Sequence, residues 1–485
     1  MMNTSVRVMK FGGTSVGNGR CIKRAAEIVR DESQKGPLVT VVSAMSGVTN
    51  LLIDAANRSQ TGESDAALQL AKALREKHLE ALNEICVNEP RRVELAQSVD
   101  SIIEDVTNLC RGTAMLRELT PRALDSISST GEKISCRLLE GALRELGVNS
   151  VSVEGADLIV TDSDHGQASP LPEQTRTRVK ERLGPLLNEG TVVIVSGFTG
   201  ATTNGLRTTL GRGGSDYSAT ILGGALDAEE VIIWTDVDGV MTADPRLVPN
   251  ARTLNEISYN EAAELAYFGA KVLHPKTLRP VVNAGIPVWI RNSFEVDRPG
   301  TKITATGHPT ARGVKAITAI SDVTLITVSG RGMFGVPGVA AKTFTAAARA
   351  RANVLLISQS SSEIDICFIV SSSDAKKTVE ALQEVFDQES SHEQVEKIIV
   401  NPDIAIVAVV GEMMRGTPGI AGRTFSCLGR ENINIIAIAQ GASEYNVSFV
   451  VEASAMREAV KAIHDEFELE HPEALAVVGE AGIPQ

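Results

Sequence analysis

The stretch RVMKFGGTSV, residues 7–16, joins a short apolar run to a pair of glycines. Val6–Phe11 has the length and composition of a buried strand, and Cys21–Asp31 follows with a helical pattern. Strand, glycine turn and helix in this order are typical of an α/β fold with a mainly parallel sheet. Paired glycines let the backbone approach an anion closely, and the free N–H groups of the next helix can bind it. The stretch predicts the fold class and a candidate anion site, the alternative being a tight turn beside a surface Lys10.

The alternation of strands and helices continues through about the first 310 residues. Further short runs rich in Val and Ile predict buried strands at Leu38–Ser43, Thr191–Ser196, Val231–Thr235 and Pro287–Arg291. Between Leu51 and Gly147 the signal is helical, because Ala66–Ile85 and Val93–Leu119 carry apolar residues at i, i+3 and i+4. An insert of several helices therefore separates early and late strands of one sheet. The segment Arg298–Gly313, rich in Gly, Pro and Thr, predicts a linker.

Beyond the linker the sequence repeats itself. At an offset of 81 residues, Val336–Val370 aligns without gaps on Thr417–Val451. Each copy predicts a strand, a Pro-Gly turn that opens a helix, two strands and a second helix, with a final strand completing a βαββαβ unit. The weak final strand of the second copy, at Ala476–Val478, suggests a replacement: we expect Val314–Ile320 to complete the second sheet, so that the first copy is threaded inside the second. The expected domains are 1–310, 311–400 and 401–485.

Composition excludes several classes of function. The 485 residues carry 47 Lys and Arg against 60 Asp and Glu, a net charge of −13, which argues against nucleic-acid and anionic-membrane partners. No apolar run approaches the ~18 residues of a membrane span, and the N-terminus has no signal-peptide pattern. The six cysteines are scattered without a CxxC pair, so we expect reduced thiols in a cytoplasmic protein.

Three further clusters contain groups suited to anions. In GRGGSD, residues 211–216, glycines open a backbone cradle, Arg212 offers a planar fork for a carboxylate, and Ser215 or Asp216 can cap the next helix. TDVDGVMTADPR, residues 235–246, follows a buried strand, where open α/β sheets place ligands. FGAKVLHP, residues 268–275, presents Lys271, although a lone loop lysine is more often simply solvated.

These clusters, together with SAMSGVT (residues 43–49) and STGE (residues 129–132), closely resemble aspartate kinases of the amino-acid kinase family. The two C-terminal copies resemble the ACT domain, a module that usually binds amino acids. The segments ISQSSSE and IAQGASEYNVSFVV further resemble the kinase half of fused aspartate kinase–homoserine dehydrogenases. The resemblance covers nearly the whole chain and implies an amino-acid-kinase fold, a mainly parallel sheet sandwiched by helices, followed by two ACT-type units.

The resemblance implies transfer of the ATP γ-phosphoryl to the β-carboxylate of L-aspartate, with Mg²⁺ carried by ATP, as the first step towards lysine, threonine and methionine. It implies catalytic roles for Lys10, Asp216 and Lys271. The implied ATP-binding residues are Lys10, Gly12, Gly13, Thr14, Thr235, Asp236, Met241, Arg246, Lys271 and Val272. The implied aspartate-binding residues are Ser43, Thr49, Glu132, Arg212, Gly213, Gly214 and Ser215. Met241 stands where related kinases often carry Tyr, and its side chain donates no hydrogen bond.

The resemblance also implies feedback regulation by an amino acid at the ACT-type units. The candidate effector residues are Gly338, Val339, Asn353, Gln359, Gly419, Ile420, Asn434 and Gln440. We expect threonine as the effector, with lysine as the second choice, although the glutamines can instead satisfy strand-edge backbone groups. Pairing of such units across subunits implies a homodimer or a homotetramer.

Three alternatives remain open at this point. The chain can be an amino-acid kinase for another carboxylate, or a non-catalytic amino-acid sensor with a relic kinase portion. It can also be the kinase half of a longer bifunctional product. Intact Lys10, Arg212, Asp216 and Lys271 argue against the relic.

Overall fold

The computed structural model describes residues 5–63, 65–269, 273–308, 310, 312–359, 364–387, 395–441 and 443–471. They form two compact bodies. The N-terminal body comprises the described residues of 5–240, 255–259 and 273–307, and the C-terminal body those of 241–254, 260–269 and 308–471.

The N-terminal body is built on a sheet of eight strands. The strands of this body are β1 (Arg7–Phe11), β2 (Leu38–Val42), β3 (Ser150–Val153), β4 (Val160–Thr161), β5 (Val192–Ser196), β6 (Thr199–Thr202), β7 (Arg207–Thr209), β8 (Glu230–Thr235), β9 (Glu256–Ser258), β10 (Val288–Asn292) and β11 (Thr301–Thr304). The main sheet has the order β3-β5-β2-β1-β8-β10-β11-β9, and all its neighbours are parallel except β10 and β11. A small sheet has the order β4-β6-β7.

The helices of this body are α1 (Gly19–Ser33), α2 (Val48–Gln60), α3 (Ala66–Ile85), α4 (Glu89–Leu116), α5 (Pro121–Ser128), α6 (Thr130–Glu145), α7 (Pro172–Asn188), α8 (Gly214–Leu226) and α10 (Pro275–Val282). The helices α2 to α6 are the predicted insert between early and late strands. Their apolar faces pack with α1 and the central strands in one core, which includes Phe11, Leu52, Leu74 and Trp234. The predicted α/β fold with a mainly parallel sheet is confirmed.

The predicted linker Arg298–Gly313 is wrong in part. It contains β11, whose Thr301 and Ile303 are buried and which pairs with β10 on one side and β9 on the other. Four residues with an alternating burial pattern are too short to stand out from the surrounding Gly, Pro and Thr.

The C-terminal body is built on one antiparallel sheet of six strands. Its strands are β12 (Ala316–Ser329), β13 (Val354–Gln359), β14 (Asp365–Ser371), β15 (Lys397–Val410), β16 (Ala437–Ala439) and β17 (Asn446–Glu452), in the order β13-β14-β12-β15-β17-β16. Its helices are α9 (Tyr259–Tyr267), apart from its first residue, and α11 (Val339–Arg349), α12 (Ser372–Asp387), α13 (Ile420–Arg430) and α14 (Met456–Glu466). The repeat is visible in the elements, because α11 and α13 have the same length and start 81 residues apart.

The two long central strands explain how the repeats are connected. The first half of β12, Ala316–Ile320, pairs with Ile406–Val410 in the second repeat, while its second half pairs with the start of β15. Asp322, at φ 59°, lies at the register shift between the two halves. The expectation that Val314–Ile320 completes the second sheet is confirmed in this pairing. Ala476–Val478 lies outside the described residues.

Candidate active site

A cavity of about 630 Å³ opens at the carboxyl ends of β1 and β2 in the N-terminal body. It brings together all the residues that the sequence assigned to the amino-acid substrate, although they are up to 172 positions apart, and it adds Lys10, Gly13 and Asp216. These residues are Lys10, Gly13, Ser43, Thr49, Glu132, Arg212, Gly213, Gly214, Ser215 and Asp216. A side chain at position 13 would place its Cβ 2.9 Å from the carbonyl oxygen of Ala44, so the glycine loop must pass this close to the next loop.

Lys10 and Asp216 form an ion pair at the edge of this cavity. The Nζ atom of Lys10 lies 2.5 Å from Oδ1 of Asp216. Lys10 comes from the carboxyl-terminal end of β1, and Asp216 is the third residue of α8. Lys10 is 7% exposed. The pair fixes a positive charge at the cavity wall and orients it.

Glu132 is the most unusual titratable group of the cavity. It lies in the first turn of α6 and is 3% exposed, and its Oε2 atom has no hydrogen-bond partner among the residues that the structure describes. Burial raises the pKa of Glu132 to about 8, while backbone hydrogen bonds at Glu132 and Ala44 and the charge of Lys10 oppose that rise. A buried carboxylate without a cation is costly, so the site is suited to a ligand that brings a positive charge.

Arg212 is a cation that has no carboxylate partner among the described residues. It lies exposed in the turn before α8, and no ion pair or hydrogen bond of its guanidinium is found among the residues that the structure describes. Gly213 is the N-cap of α8 in the left-handed conformation, at φ 69°, and no side chain caps the helix. The expectation that Ser215 or Asp216 caps this helix is therefore wrong. Both residues lie inside the first turn, where Asp216 is free to pair with Lys10.

Asp125 was missed by the sequence reasoning. It is 1% exposed, lies within α5, and accepts hydrogen bonds from three donors: Thr209 Oγ1 at 2.5 Å, the Gly166 N–H at 3.2 Å, and His165 Nδ1 at 2.7 Å. It lies seven residues before Glu132, and Thr209 lies three residues before Arg212. Asp125 therefore ties together the two segments that carry Glu132 and Arg212.

Phe198 also lines the cavity, although no sequence motif predicted it. Its backbone lies in the left-handed region at φ 69°, which a phenylalanine rarely adopts. Its ring meets Gly214, where an added Cβ would lie 2.5 Å from the ring. The rare conformation is the structural signal for this residue, and it is invisible in sequence.

Comparison with known proteins adds to this geometry. Residues 5–292 match the amino acid kinase family, and residues 326–386 and 407–467 each match the ACT domain. Two solved structures of E. coli aspartokinase III, one in complex with aspartate and ADP and one with lysine and aspartate, are each 32% identical to this chain. Both cover 95% of this chain and 99% of the solved chain, at a TM-score of 0.79.

The chain belongs to the aspartate kinases of the amino acid kinase family. Bifunctional aspartokinase/homoserine dehydrogenase 2, chloroplastic, of Arabidopsis thaliana is 37% identical over 97% of this chain and 52% of its own length. This aspartate kinase chain thus spans about half the length of the curated relatives that it matches.

The nucleotide residues expected for an aspartate kinase fall into two groups. The Gly12 N–H donates a hydrogen bond of 3.0 Å to the Trp234 carbonyl, which joins the ends of the neighbouring strands β1 and β8. Thr14 lies in the loop after β1. Thr235 is the last residue of β8 and Asp236 follows it, and the Thr235 Oγ1 hydroxyl donates a 3.2 Å hydrogen bond to Asp236. Gly12, Thr14, Thr235 and Asp236 do not line the cavity that contains Glu132, whereas the expected nucleotide residues Lys10 and Gly13 do.

The second group lies in the C-terminal body. Met241 forms a bridge with Thr253, and the exposed Arg246 pairs with Asp244 at 2.5 Å. Lys271 and Val272 lie outside the described residues.

The candidate effector residues of this aspartate kinase occupy matching positions in the two repeats. Gly338 and Gly419 are left-handed N-caps of α11 and α13, at φ 96° and 94°, followed by the buried Val339 and Ile420. A cavity of about 350 Å³ in the second repeat contains Gly419, Ile420 and Gln440. The exposed Asn353, Gln359 and Asn434 do not line it.

No helix in the described part of the chain is long and apolar enough to cross a membrane. In the same residues, no group of three or more His, Cys, Asp or Glu side chains is placed to hold a metal ion.

Proposed function

We propose that the chain transfers the γ-phosphoryl group of ATP to the β-carboxylate of L-aspartate, giving 4-phospho-L-aspartate and ADP. The observation that carries this proposal is a pair of groups in one cavity that have no partner among the described residues: the buried Oε2 atom of Glu132 and the guanidinium of Arg212. An α-amino acid has an ammonium group that can pair with Glu132 and a carboxylate that can pair with Arg212. Beside them, Lys10 presents the positive charge that an anionic acceptor and a polyphosphate both need.

Recognition of aspartate follows from these charges. Arg212 binds the α-carboxylate through its planar fork, and Glu132 binds the α-ammonium group. Ser43, Thr49, Gly213, Gly214 and Ser215 line the same cavity and supply hydroxyl and backbone N–H groups. Aspartate held at its α-carbon leaves its β-carboxylate to approach Lys10.

The chemical step needs no strong base, since a carboxylate is already an anionic nucleophile at pH 7. An oxygen of the β-carboxylate bonds to the γ-phosphorus, the bond from that phosphorus to the bridging oxygen breaks, and ADP leaves with the electron pair. Catalysis lies in alignment and in neutralising the repulsion between anions. Lys10 supplies charge at the transferring group, and Asp216 holds the lysine in place.

ATP is proposed to lie over the glycine loop Gly12–Thr14 and against Thr235 and Asp236, at the adjoining ends of β1 and β8. Met241, Arg246, Lys271 and Val272 are the remaining residues that the resemblance implies for ATP binding, and their part in binding ATP stays a proposal. Mg²⁺ is proposed to enter bound to the phosphates of ATP, where it neutralises their charge.

The C-terminal body is proposed to sense an end-product amino acid. Each Pro-Gly turn opens a helix whose free N–H groups suit a carboxylate, and the cavity at Gly419, Ile420 and Gln440 adds an amide to read a side chain. Threonine is the first candidate, and lysine, which is bound to E. coli aspartokinase III in one solved structure, is the second. Titration calorimetry of the full chain with each amino acid tests this, and no heat from either would remove the sensor.

The sheet of the C-terminal body ends in β13 on one side and β16 on the other. Both are the end strands of this sheet, and pairing of two chains along them is the proposed route to a homodimer or a homotetramer. Light scattering after size-exclusion chromatography measures the mass of the assembly.

The test of the proposed reaction is ADP formation from MgATP with aspartate, compared with glutamate and N-acetylglutamate as acceptors. Activity only with another carboxylate would replace aspartate by that acceptor. We expect Lys10→Ala to lower kcat by more than ~100-fold, the scale of losing one strong charge stabiliser in the transition state. Lys23→Ala, an exposed lysine on α1, is the control. Near-wild-type turnover by Lys10→Ala would remove Lys10 from the mechanism.

A further inference from the structure

A second cavity, of about 410 Å³, lies in the N-terminal body between α7, α8 and α10. None of its lining residues lines the cavity that contains Glu132. The helix α8 borders both, because Asp216 lines the first cavity and the next residue, Tyr217, lines the second. None of the residues lining this second cavity has a role in the sequence predictions or in the proposed reaction.

Tyr217 brings an unused polar group to the cavity wall. It is 5% exposed, and no hydrogen bond of its hydroxyl is found within the described parts of the chain. The hydroxyl oxygen is not among the fully enclosed atoms, so the phenol is packed while its hydroxyl is available in the cavity to donate a hydrogen bond to a ligand atom. Burial raises the pKa of Tyr217, and the charge of Arg279 opposes the rise, which places that guanidinium near the phenol.

Two cations line the cavity without an acidic partner. The Nζ atom of Lys276 lies 5.4 Å from the centre of the Tyr217 ring, and Arg279 lies one turn further along α10. Neither makes an ion pair with a carboxylate in the portion of the chain that is described. Arg176 is different, because its guanidinium is occupied by Asp227, at 2.6 and 2.7 Å, and by the Gly224 carbonyl at 2.9 Å.

The rest of the wall is largely apolar. Ile221 and Ala225 of α8 and Pro280 of α10 supply this part, and Glu173 is the single carboxylate among the lining residues. Because Arg176 is neutralised by Asp227, the balance rests on Lys276 and Arg279, which have no carboxylate partner among the described residues, against the single Glu173, and the cavity is positive. An apolar wall under unpaired cations and a phenol is complementary to an anion with an apolar body.

We propose that this α7–α8–α10 cavity binds a small organic carboxylate with an apolar body. The carboxylate would pair with Arg279 and Lys276 and accept a hydrogen bond from the Tyr217 hydroxyl, while the apolar body would pack on Ile221, Ala225 and Pro280. Such a ligand would contact α8, whose first turn contains Asp216, and its binding would influence the position of α8.

The experiment is titration calorimetry of the full chain with phenylacetate, a carboxylate on an aromatic body, with neutral phenylacetamide as the matched probe. Because a hydrogen bond to a charged group contributes more than a neutral one, we expect Arg279→Gln to weaken phenylacetate binding about tenfold or more and Tyr217→Phe about threefold or more. Arg182→Gln removes a charge from an exposed position of α7 outside the cavity and should bind as the wild type does. Thermal unfolding of each variant reports whether it is folded.

Phenylacetate binding that Arg279→Gln and Tyr217→Phe leave unchanged would overturn the proposal, since the probe would then bind elsewhere. Absence of phenylacetate binding would overturn it as well, and so would equal binding of phenylacetamide, because the cations would play no part. None of these outcomes depends on whether the chain phosphorylates aspartate.

Discussion

Glu132 and Glu261 are both buried, one in each body, yet their surroundings differ. Glu261, on α9, is 0% exposed; one carboxylate oxygen lies 2.8 Å from the Lys315 ammonium, and the other accepts the Glu412 N–H at 2.8 Å. Glu132 is 3% exposed, and among the described residues its Oε2 atom has no hydrogen-bond partner. Burial raises the pKa of Glu132 to about 8.

The difference separates a structural buried charge from a functional one. A carboxylate that only holds elements together is compensated within the fold, because an unpaired buried charge is costly. Glu261 joins α9 to the sheet of the C-terminal body in this way. The Oε2 atom of Glu132 has no partner among the described residues. In the proposed function, its partner is the α-ammonium group of the substrate. Disrupting Glu261 should therefore change stability, and disrupting Glu132 should change binding.

The largest effect is expected from Lys315→Met. This change removes the Lys315 ammonium from beside the buried Glu261, and breaking a buried pair from one side costs about 3–5 kcal/mol. We expect calorimetry to show the unfolding transition of the C-terminal body lowered by roughly 6–20 °C, on the usual scale of 2–4 °C per kcal/mol for bodies of this size.

The double variant Glu261→Gln/Lys315→Met should recover much of this loss, because it removes both charges. Lys461→Met, at an exposed position of α14, is the single-charge control. A Lys315→Met chain as stable as the wild type would show that the pair does not hold α9 to the sheet.

The next effect concerns Glu132→Gln, a change of nearly equal shape. Measured above pH 8, where the wild-type carboxyl is ionised, losing the charge opposite the substrate ammonium should lower kcat/KM for aspartate by roughly 10- to 150-fold, the range of one hydrogen bond to a charged group. The unfolding temperature should not fall, because the carboxyl, with a pKa of about 8, is mostly neutral at pH 7. Steady-state kinetics and calorimetry on the same sample measure both.

Glu104→Gln, exposed on α4, provides the matched control for that variant. If Glu132→Gln lost stability and kept its aspartate kinetics, the two buried glutamates would have the same structural role, contrary to the comparison.

The smallest effect is expected from Asp125→Asn. An amide oxygen can replace only part of the carboxylate that Thr209, His165 and Gly166 share, so the Glu132 and Arg212 segments should lose alignment. We expect KM for aspartate to rise about three- to tenfold, the scale of one weakened hydrogen bond, with KM for ATP unchanged. Asp105→Asn, exposed on α4, is the control. Equal rises in both KM values would indicate a general loss of structure.

Much of the fold could be predicted from the sequence, because local pattern and repetition determine it. The apolar run of β1 and the helical spacing of α3 are local signals, and the offset of 81 residues anticipated the matching helices α11 and α13. The expectation for Val314–Ile320 came from the weakness of the strand it replaces, and the pairing confirmed it.

The site was predictable only as a set of residue types. Motifs named Glu132 and Arg212, and the structure brings them to one cavity. The unpaired state of Glu132 depends on burial, which sequence spacing does not contain. Asp125 was missed because its partner Thr209 lies 84 residues away. The capping of α8 was wrong because the left-handed conformation of Gly213 leaves no role for a capping side chain.

The central claim is that Glu132 is left uncompensated for the substrate ammonium, and the pH dependence of kcat/KM for aspartate tests it most directly. The pKa of Glu132 is raised to about 8, so the carboxyl is neutral below that pH and gains its charge as the pH rises through it. We predict that kcat/KM in the wild type rises about tenfold per pH unit up to about pH 8 and then levels off, as expected for one essential ionisation. Glu132→Gln should lose that rise. A flat wild-type profile between about pH 6 and 8, or the same rise in Glu132→Gln, would contradict the account.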